Sequence, residues 1–103
     1  MLKYTITKEE YTVKVTLNGD LDIEGTELIN DKLIPSLLTA KVVEVSLEQV
    51  PFVDSTGMGL LMNLVNTLKD SSITITISHV REDVFEVFEL LQLPEIFGKE
   101  VFV

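Results

Sequence analysis
At 103 residues the chain has the length of one domain, enough to bury a single core without a metal or a disulfide. Its 8 lysines and arginines against 17 aspartates and glutamates leave a net charge of −9, which repels a phosphate backbone and argues against nucleic acid as a direct partner. It has no cysteine, which excludes a disulfide framework and a thiolate metal site, and no apolar run long enough for export or membrane spanning, so a cytoplasmic protein with no membrane partner is expected.

Taken in order, Tyr4–Thr7 and Tyr11–Leu17 are rich in β-formers, and the second run alternates, with Val13, Val15 and Leu17 on one side. Lys8-Glu9-Glu10 is short enough to join them as a hairpin. The second strand ends in the turn composition Asn18-Gly19-Asp20. Leu28, Ile29, Leu33, Ile34, Leu37 and Leu38 then stripe one face of a helix from about Gly25 or Thr26 to Thr39. Pro35 lies inside that pattern and removes a bond to the carbonyl of Asp31, which predicts a kink or an early end.

Val42–Leu47 reads as a third strand. It leads through a loop to Val53-Asp54-Ser55-Thr56-Gly57-Met58-Gly59-Leu60-Leu61, where a helical repeat of Met58, Leu61, Met62, Leu64, Val65 and Leu68 begins and runs to about Asp70. Ile73–Ser78 alternates isoleucines with hydroxyls as a fourth strand. A last helix spans about Arg81–Leu91, with Val84, Val87, Phe88 and Leu91 on its apolar side and Leu93-Pro94 closing it. Val101–Val103 reads as a final short strand. The order β-β-α-β-α-β-α-β specifies an α/β domain over residues 1–103: an N-terminal hairpin, then alternating strands and helices in a mixed sheet. Parallel strands buried on both faces would be continuously apolar; these alternate, so helices are expected mainly on one face.

Asp54 and Ser55 are both favoured helix N-caps, so capping is one reading of this stretch. Gly57 and Gly59 in the first turns each cost about 1 kcal/mol relative to alanine, which points to close approach of something to that backbone. That something is either a partner reaching for a hydroxyl or a packed strand. Asp54 caps the helix or contacts the partner. Asp22 is either a solvated turn carboxylate or part of a docking loop, and Met58 and Met62 suit the core better than an interface. An enzyme reading would use Ser55 with the single histidine, His79, but the surrounding residues lack the Gly-x-Ser-x-Gly elbow and nothing fixes a third group. Gly57-Met58-Gly59 has Met62 where a dinucleotide fingerprint needs glycine, and no cluster has metal-ligand spacing, so no catalytic residue, cofactor or metal is expected.

The stretch Val50–Leu61 closely resembles the signature of STAS-domain anti-sigma factor antagonists, an apolar pair leading into Asp-Ser-Ser/Thr-Gly-apolar-Gly. Leu17-Asn18-Gly19-Asp20-Leu21-Asp22 is similar to the family's Gly-Asp/Glu-Leu-Asp turn, and Val84–Phe97 to its third helix and following loop, so the likeness covers nearly the whole chain. The resemblance implies a single STAS domain in which unphosphorylated protein binds an anti-sigma factor serine kinase and thereby releases a sigma factor. The kinase then phosphorylates Ser55 and ends the interaction, and a metal-dependent serine phosphatase restores it. It also implies that Asp20, Asp22, Asp54, Ser55, Thr56, Gly57, Met58 and Gly59 form the partner-binding surface. The alternative within the same fold is a STAS adaptor for a transporter, a lipid-trafficking system or another signalling complex. The chain departs from the usual pattern at Ser46, where aspartate is common, at Pro35, and at Gln92, where glycine is usual.

Overall fold
In the computed structural model, which describes residues 1–103, the two β-rich N-terminal runs pair as an antiparallel hairpin, β1 (Lys3–Glu9) and β2 (Thr12–Asn18). β2 then pairs in parallel with β3 (Val42–Gln49), and β3 with β4 (Thr74–Ser78), giving a four-stranded mixed sheet in the order β1-β2-β3-β4. Each parallel step is crossed by a helix, as alternating strand and helix signals require. The alternation read from sequence sets the two faces. Val15, Leu17, Val43, Val45, Leu47, Ile75 and Ile77 are buried against the helices. Thr16, Glu44, Ser46 and Thr76, in the intervening positions, remain half-buried on the other face. On that polar face the buried Ser78 hydroxyl donates to Glu44 Oε2 at 2.9 Å and meets His79 Nδ1 at 3.0 Å.

The first crossover differs from a regular helix for the reason Pro35 supplies. In a straight α-helix its ring would strike the carbonyl of Asp31. The chain instead takes a 3₁₀ turn at Ile23–Gly25, widens into a π-helical stretch at Leu28–Leu33, and resumes as α1 (Ile34–Leu37) with Pro35 in its first turn. The wide turn ends where the Ile34 amide bonds back to the Ile29 carbonyl. Ile29, Leu33, Ile34 and Leu37 are buried throughout, so the apolar stripe survives the irregular backbone.

The helix after the signature stretch, α2 (Ser55–Asp70), is the longest and buries Leu60, Leu61, Leu64, Val65 and Leu68. The last helical region divides in two. α3 (Glu82–Leu90) ends before Leu91, because Gln92 adopts a left-handed conformation (φ 59°) and its amide turns back to the Glu89 carbonyl. Leu93-Pro94 therefore opens a short α4 (Leu93–Phe97) rather than closing α3. Proline is suited to that first turn, where its missing N–H leaves no bond unmade. The helix ends close to where the sequence placed it, but its buried face is narrower than expected: α3 buries Val84 and Phe88, whereas Val87 and Leu91 are exposed, and Leu93 and Phe97 of α4 enter the core instead. Lys69 donates to the Phe97 carbonyl, tying α4 to α2. Phe85, Phe88 and Phe97 gather around Phe102, with ring centroids 5.5–6.0 Å from it. The expected final strand shrinks to one parallel bridge between Ile77 and Phe102, since Lys99–Val101 form a 3₁₀ turn. No helix is long and apolar enough to cross a membrane.

Candidate functional site
β2 and β3 do not part at the end of their ladder. The Gly19 amide donates to the Gln49 carbonyl at 3.0 Å, the Leu21 amide to Phe52 at 2.9 Å, and Leu21 bridges Val53 in parallel fashion. These bonds carry the Asp20–Asp22 loop alongside the start of α2, so residues more than 30 positions apart in the signature stretch and the upstream turn share one end of the sheet. That end lies beyond the carboxyl ends of the parallel strands, where ligand and partner sites of α/β sheets usually form.

Asp54 has the extended backbone of an N-cap (φ −98°, ψ −173°), and its Oδ1 accepts the Gly57 amide at 2.8 Å. The Asp54 carbonyl accepts the Met58 amide at 2.8 Å. Between the two candidate caps, Asp54 therefore does the work, and Ser55 is the first helical residue, exposed to solvent. The amides of Ser55 and Thr56 are the first-turn donors that Asp54 leaves unused. Three acceptor oxygens placed on Ser55 would find those two amides and the positive end of a 16-residue helix.

The glycines separate cleanly. A Cβ on Gly57 would fall 1.8 Å from the Leu21 carbonyl oxygen, so this residue is glycine because the loop crosses directly over it. A Cβ on Gly59 would meet nothing within 4 Å, and that residue is exposed. Of the eight expected partner-binding residues, Gly57 and Met58 are buried, Met58 in the core below the helix as its place in the helical repeat suggested. Asp20, Ser55, Thr56 and Gly59 are exposed, and Asp54 is half-buried beneath them. Asp22 is half-buried as well. Its Oδ1 accepts the Glu24 amide at 3.0 Å and caps the 3₁₀ turn, which fixes the loop's path over α2.

His79 takes no part in this arrangement. Its ring bonds Ser78 and lines a cavity with Val80, Phe85, Phe102 and Val103, none of them near the signature stretch in the chain. Two features of the site were not singled out from sequence. One is Leu21, the residue whose backbone carries the loop. The other is Phe52, which is 50% exposed and shares a cavity of about 140 Å³ with Pro51, Val53 and, from α3, Asp83, Val84 and Val87. An aromatic residue just ahead of the cap was the available signal.

Comparison with known proteins agrees with this architecture. The chain is 21% identical over 91 residues to the anti-sigma-B factor antagonist of Bacillus subtilis, an alignment covering 88% of this chain and 84% of the relative. Among solved structures, the Bacillus protein SpoIIAA in its phosphorylated form superposes with a TM-score of 0.71 at 20% identity, covering 98% of this chain and 89% of that one. A sulfate transporter family protein from Wolinella succinogenes superposes with a TM-score of 0.80 at 19% identity, covering 93% and 79%. At these identities the superpositions establish the fold. The model of the STAS domain family matches residues 3–102, and the chain belongs to that family.

Proposed function
We propose that this protein is a phosphorylation-gated anti-sigma factor antagonist. Unphosphorylated, it docks on an anti-sigma factor serine kinase and releases a sigma factor. Transfer of the γ-phosphoryl group of kinase-held ATP to Ser55 Oγ, with release of ADP, ends docking, and a serine phosphatase resets the switch. The observation that carries this reading is the division of labour at the start of α2: Asp54 makes the cap, so Ser55 is an exposed hydroxyl with no structural task at a helix end suited to hold phosphate. A phosphoserine brings about −1.5 to −2 charges next to Asp54, Asp20 and Asp22, enough to reject a surface that accepted the neutral hydroxyl. The chain covers 84% of the Bacillus subtilis relative, whose name describes antagonism of an anti-sigma factor.

The likeness to a sulfate transporter family protein supports a second reading, a STAS adaptor that uses the same end of the sheet without phosphorylation. Capture from native lysate with wild type, Ser55→Ala and Ser55→Asp separates the two. Retention of an ATP-binding kinase by Ser55→Ala, its loss with Ser55→Asp, and phosphate mapped to Ser55 in the wild type are expected. Equal capture by all three variants would leave only the adaptor.

A further inference from the structure
We propose that the outer edge of β1 is a self-association surface, on which β1 of a second copy of this chain pairs antiparallel about Ile6 and joins two four-stranded sheets into one. The inference stands apart from the phospho-switch reading. β1 is the end strand of the sheet, and the Glu9 and Thr12 pair that closes its two-residue turn must be hydrogen-bonded. Lys3, Thr5, Thr7 and Glu9 therefore bond β2, while the N–H and C=O groups of Tyr4, Ile6 and Lys8 point away from the sheet, and no other element bonds them. The opposite edge is treated differently: Phe102 bridges β4, and the Val103 amide donates to the Ile77 carbonyl at 3.0 Å. β1 also lacks the proline or bulge that commonly blunts an edge strand, its register with β2 running unbroken from Lys3 to Glu9.

The residues of the strand name the occupant. Two copies related by a two-fold axis pair antiparallel, and only residues whose polar groups point outward can exchange bonds. With Ile6 on the axis, Ile6 faces Ile6 and Tyr4 faces Lys8 as hydrogen-bonded pairs; Thr5 then faces Thr7, and Lys3 faces Glu9, in the closer pairs between them. All of β1 is used, and its charges find complements: Lys3 meets a carboxylate at both ends of the ladder, and Lys8 meets an aromatic ring. Lys3 has no ion pair within its own chain, and Glu9 has one, with Lys14 at 3.6 Å. Lysines on an edge usually keep strands apart; here each has a partner across the axis. The net charge of −9 opposes self-association elsewhere, but residues 1–18 carry Lys3, Lys8 and Lys14 against only Glu9 and Glu10. The helix-side face of the edge agrees. Tyr4 and Ile6 are only half-buried against the core, and Ile6 lines a cavity of about 320 Å³ with Val13 and Ala40, so the first crossover leaves apolar surface that the Ile6 of a second copy would extend. Because α2 joins β3 to β4, Ser55 stands over the other half of the sheet and stays open in both copies.

The test is the oligomeric state of the intact protein, followed by sedimentation equilibrium at low salt from about 1 μM to about 1 mM, because a seven-residue ladder is a small interface. A monomer–dimer equilibrium is expected, and a wild type that stays monomeric throughout would overturn the proposal. Lys3→Glu sets carboxylates against each other at both ends of the ladder and should weaken the dimer about tenfold or more. The double variant Lys3→Glu/Glu9→Lys exchanges the charges and should restore it. Both residues are exposed and the bond to Lys14 is a surface pair, so melting curves should hold. Register is read by disulfides, which the absence of native cysteine makes specific. Oxidised together, Thr5→Cys and Thr7→Cys chains should give the mixed dimer in excess over either homodimer, since only those two positions lie opposite each other across the axis. A dimer that Lys3→Glu leaves intact, or one that crosslinks no better between the two cysteine variants than within either, is built on another surface or by exchange of hairpins, and either result would overturn the edge pairing.

Discussion
The Leu21 carbonyl oxygen lies where a Cβ on Gly57 would be, 1.8 Å from its ideal position. The contact is backbone on both sides: Leu21 is pinned by its own amide bond to Phe52 and receives the Asp54 amide at 3.3 Å, so it cannot yield by rotating a side chain. Gly57→Ala gains about 1 kcal/mol in helix propensity and must then push the loop and helix apart, an overpacking cost of typically about 1–3 kcal/mol or more. A net loss of stability is expected in urea melts, with weakened partner binding as the Asp20–Asp22 loop shifts. A Gly57→Ala variant as stable as wild type would contradict the close crossing.

Gly59 gives the contrasting expectation. Alanine there meets nothing within 4 Å and occupies an exposed helical site, so Gly59→Ala should stabilise the domain by up to about 1 kcal/mol. If the space above Gly59 belongs to a docked kinase, the same variant binds it more weakly despite melting later. Opposite signs in thermal melts and binding titrations would mark that surface as reserved for the partner.

Asp54 joins two roles that substitution can separate. Asp54→Ala removes the bond to the Gly57 amide and should cost about 0.5–2 kcal/mol, whereas Asp54→Asn keeps an oxygen acceptor and costs little. A kinase that recognises the carboxylate charge will bind both variants poorly, and one that needs only the helix in place will bind Asp54→Asn normally. Denaturant titrations paired with binding measurements on the two variants distinguish these outcomes.

The strands and α2 were legible because their signals are local: alternation in Val13–Leu17 and Ile73–Ser78, and a helical repeat from Met58 to Leu68. What escaped the sequence depends on residues distant in the chain or on a competition between neighbours. Whether Asp54 or Ser55 caps α2 cannot be read from residue preference, since both types are favoured; it follows from which backbone turns into the helix. The choice between packing and access for the glycines needed Leu21, which lies 36 positions before Gly57. Val87 and Leu91 fit an apolar helix stripe in sequence, yet both are exposed, because α3 turns only Val84 and Phe88 to the core while Leu93 and Phe97 of the next helix fill the rest. The widened backbone at Leu28–Leu33 was foreshadowed by Pro35, although a proline specifies only that a regular helix fails, not how.

The buried hydroxyl of Ser78 links β4 to β3 by donating to the half-buried Glu44 and stands within hydrogen-bond reach of His79. Ser78→Ala removes both contacts and should cost about 1–2 kcal/mol, somewhat less than a fully buried charged hydrogen bond because Glu44 keeps access to water. Partner binding should be unaffected once the variant is folded, since neither residue lies in the signature stretch. A loss of kinase binding in folded Ser78→Ala would extend the functional surface to the polar face of the sheet.

Gln92 offers the inverse experiment, a gain from removing a side chain. Its backbone sits at φ 59°, ψ 31°, a left-handed conformation that costs a residue with a Cβ roughly 1–2 kcal/mol and costs glycine almost none. The greater freedom of glycine in the unfolded chain offsets part of that gain. Gln92→Gly should therefore raise stability by about 0.5–1 kcal/mol, which for a domain of this size corresponds to about 2–8 °C in melting temperature. The side chain is exposed and makes no capping bond, so nothing else is lost. A Gln92→Gly protein that melts earlier than wild type would show that the α3–α4 junction is held in some other conformation.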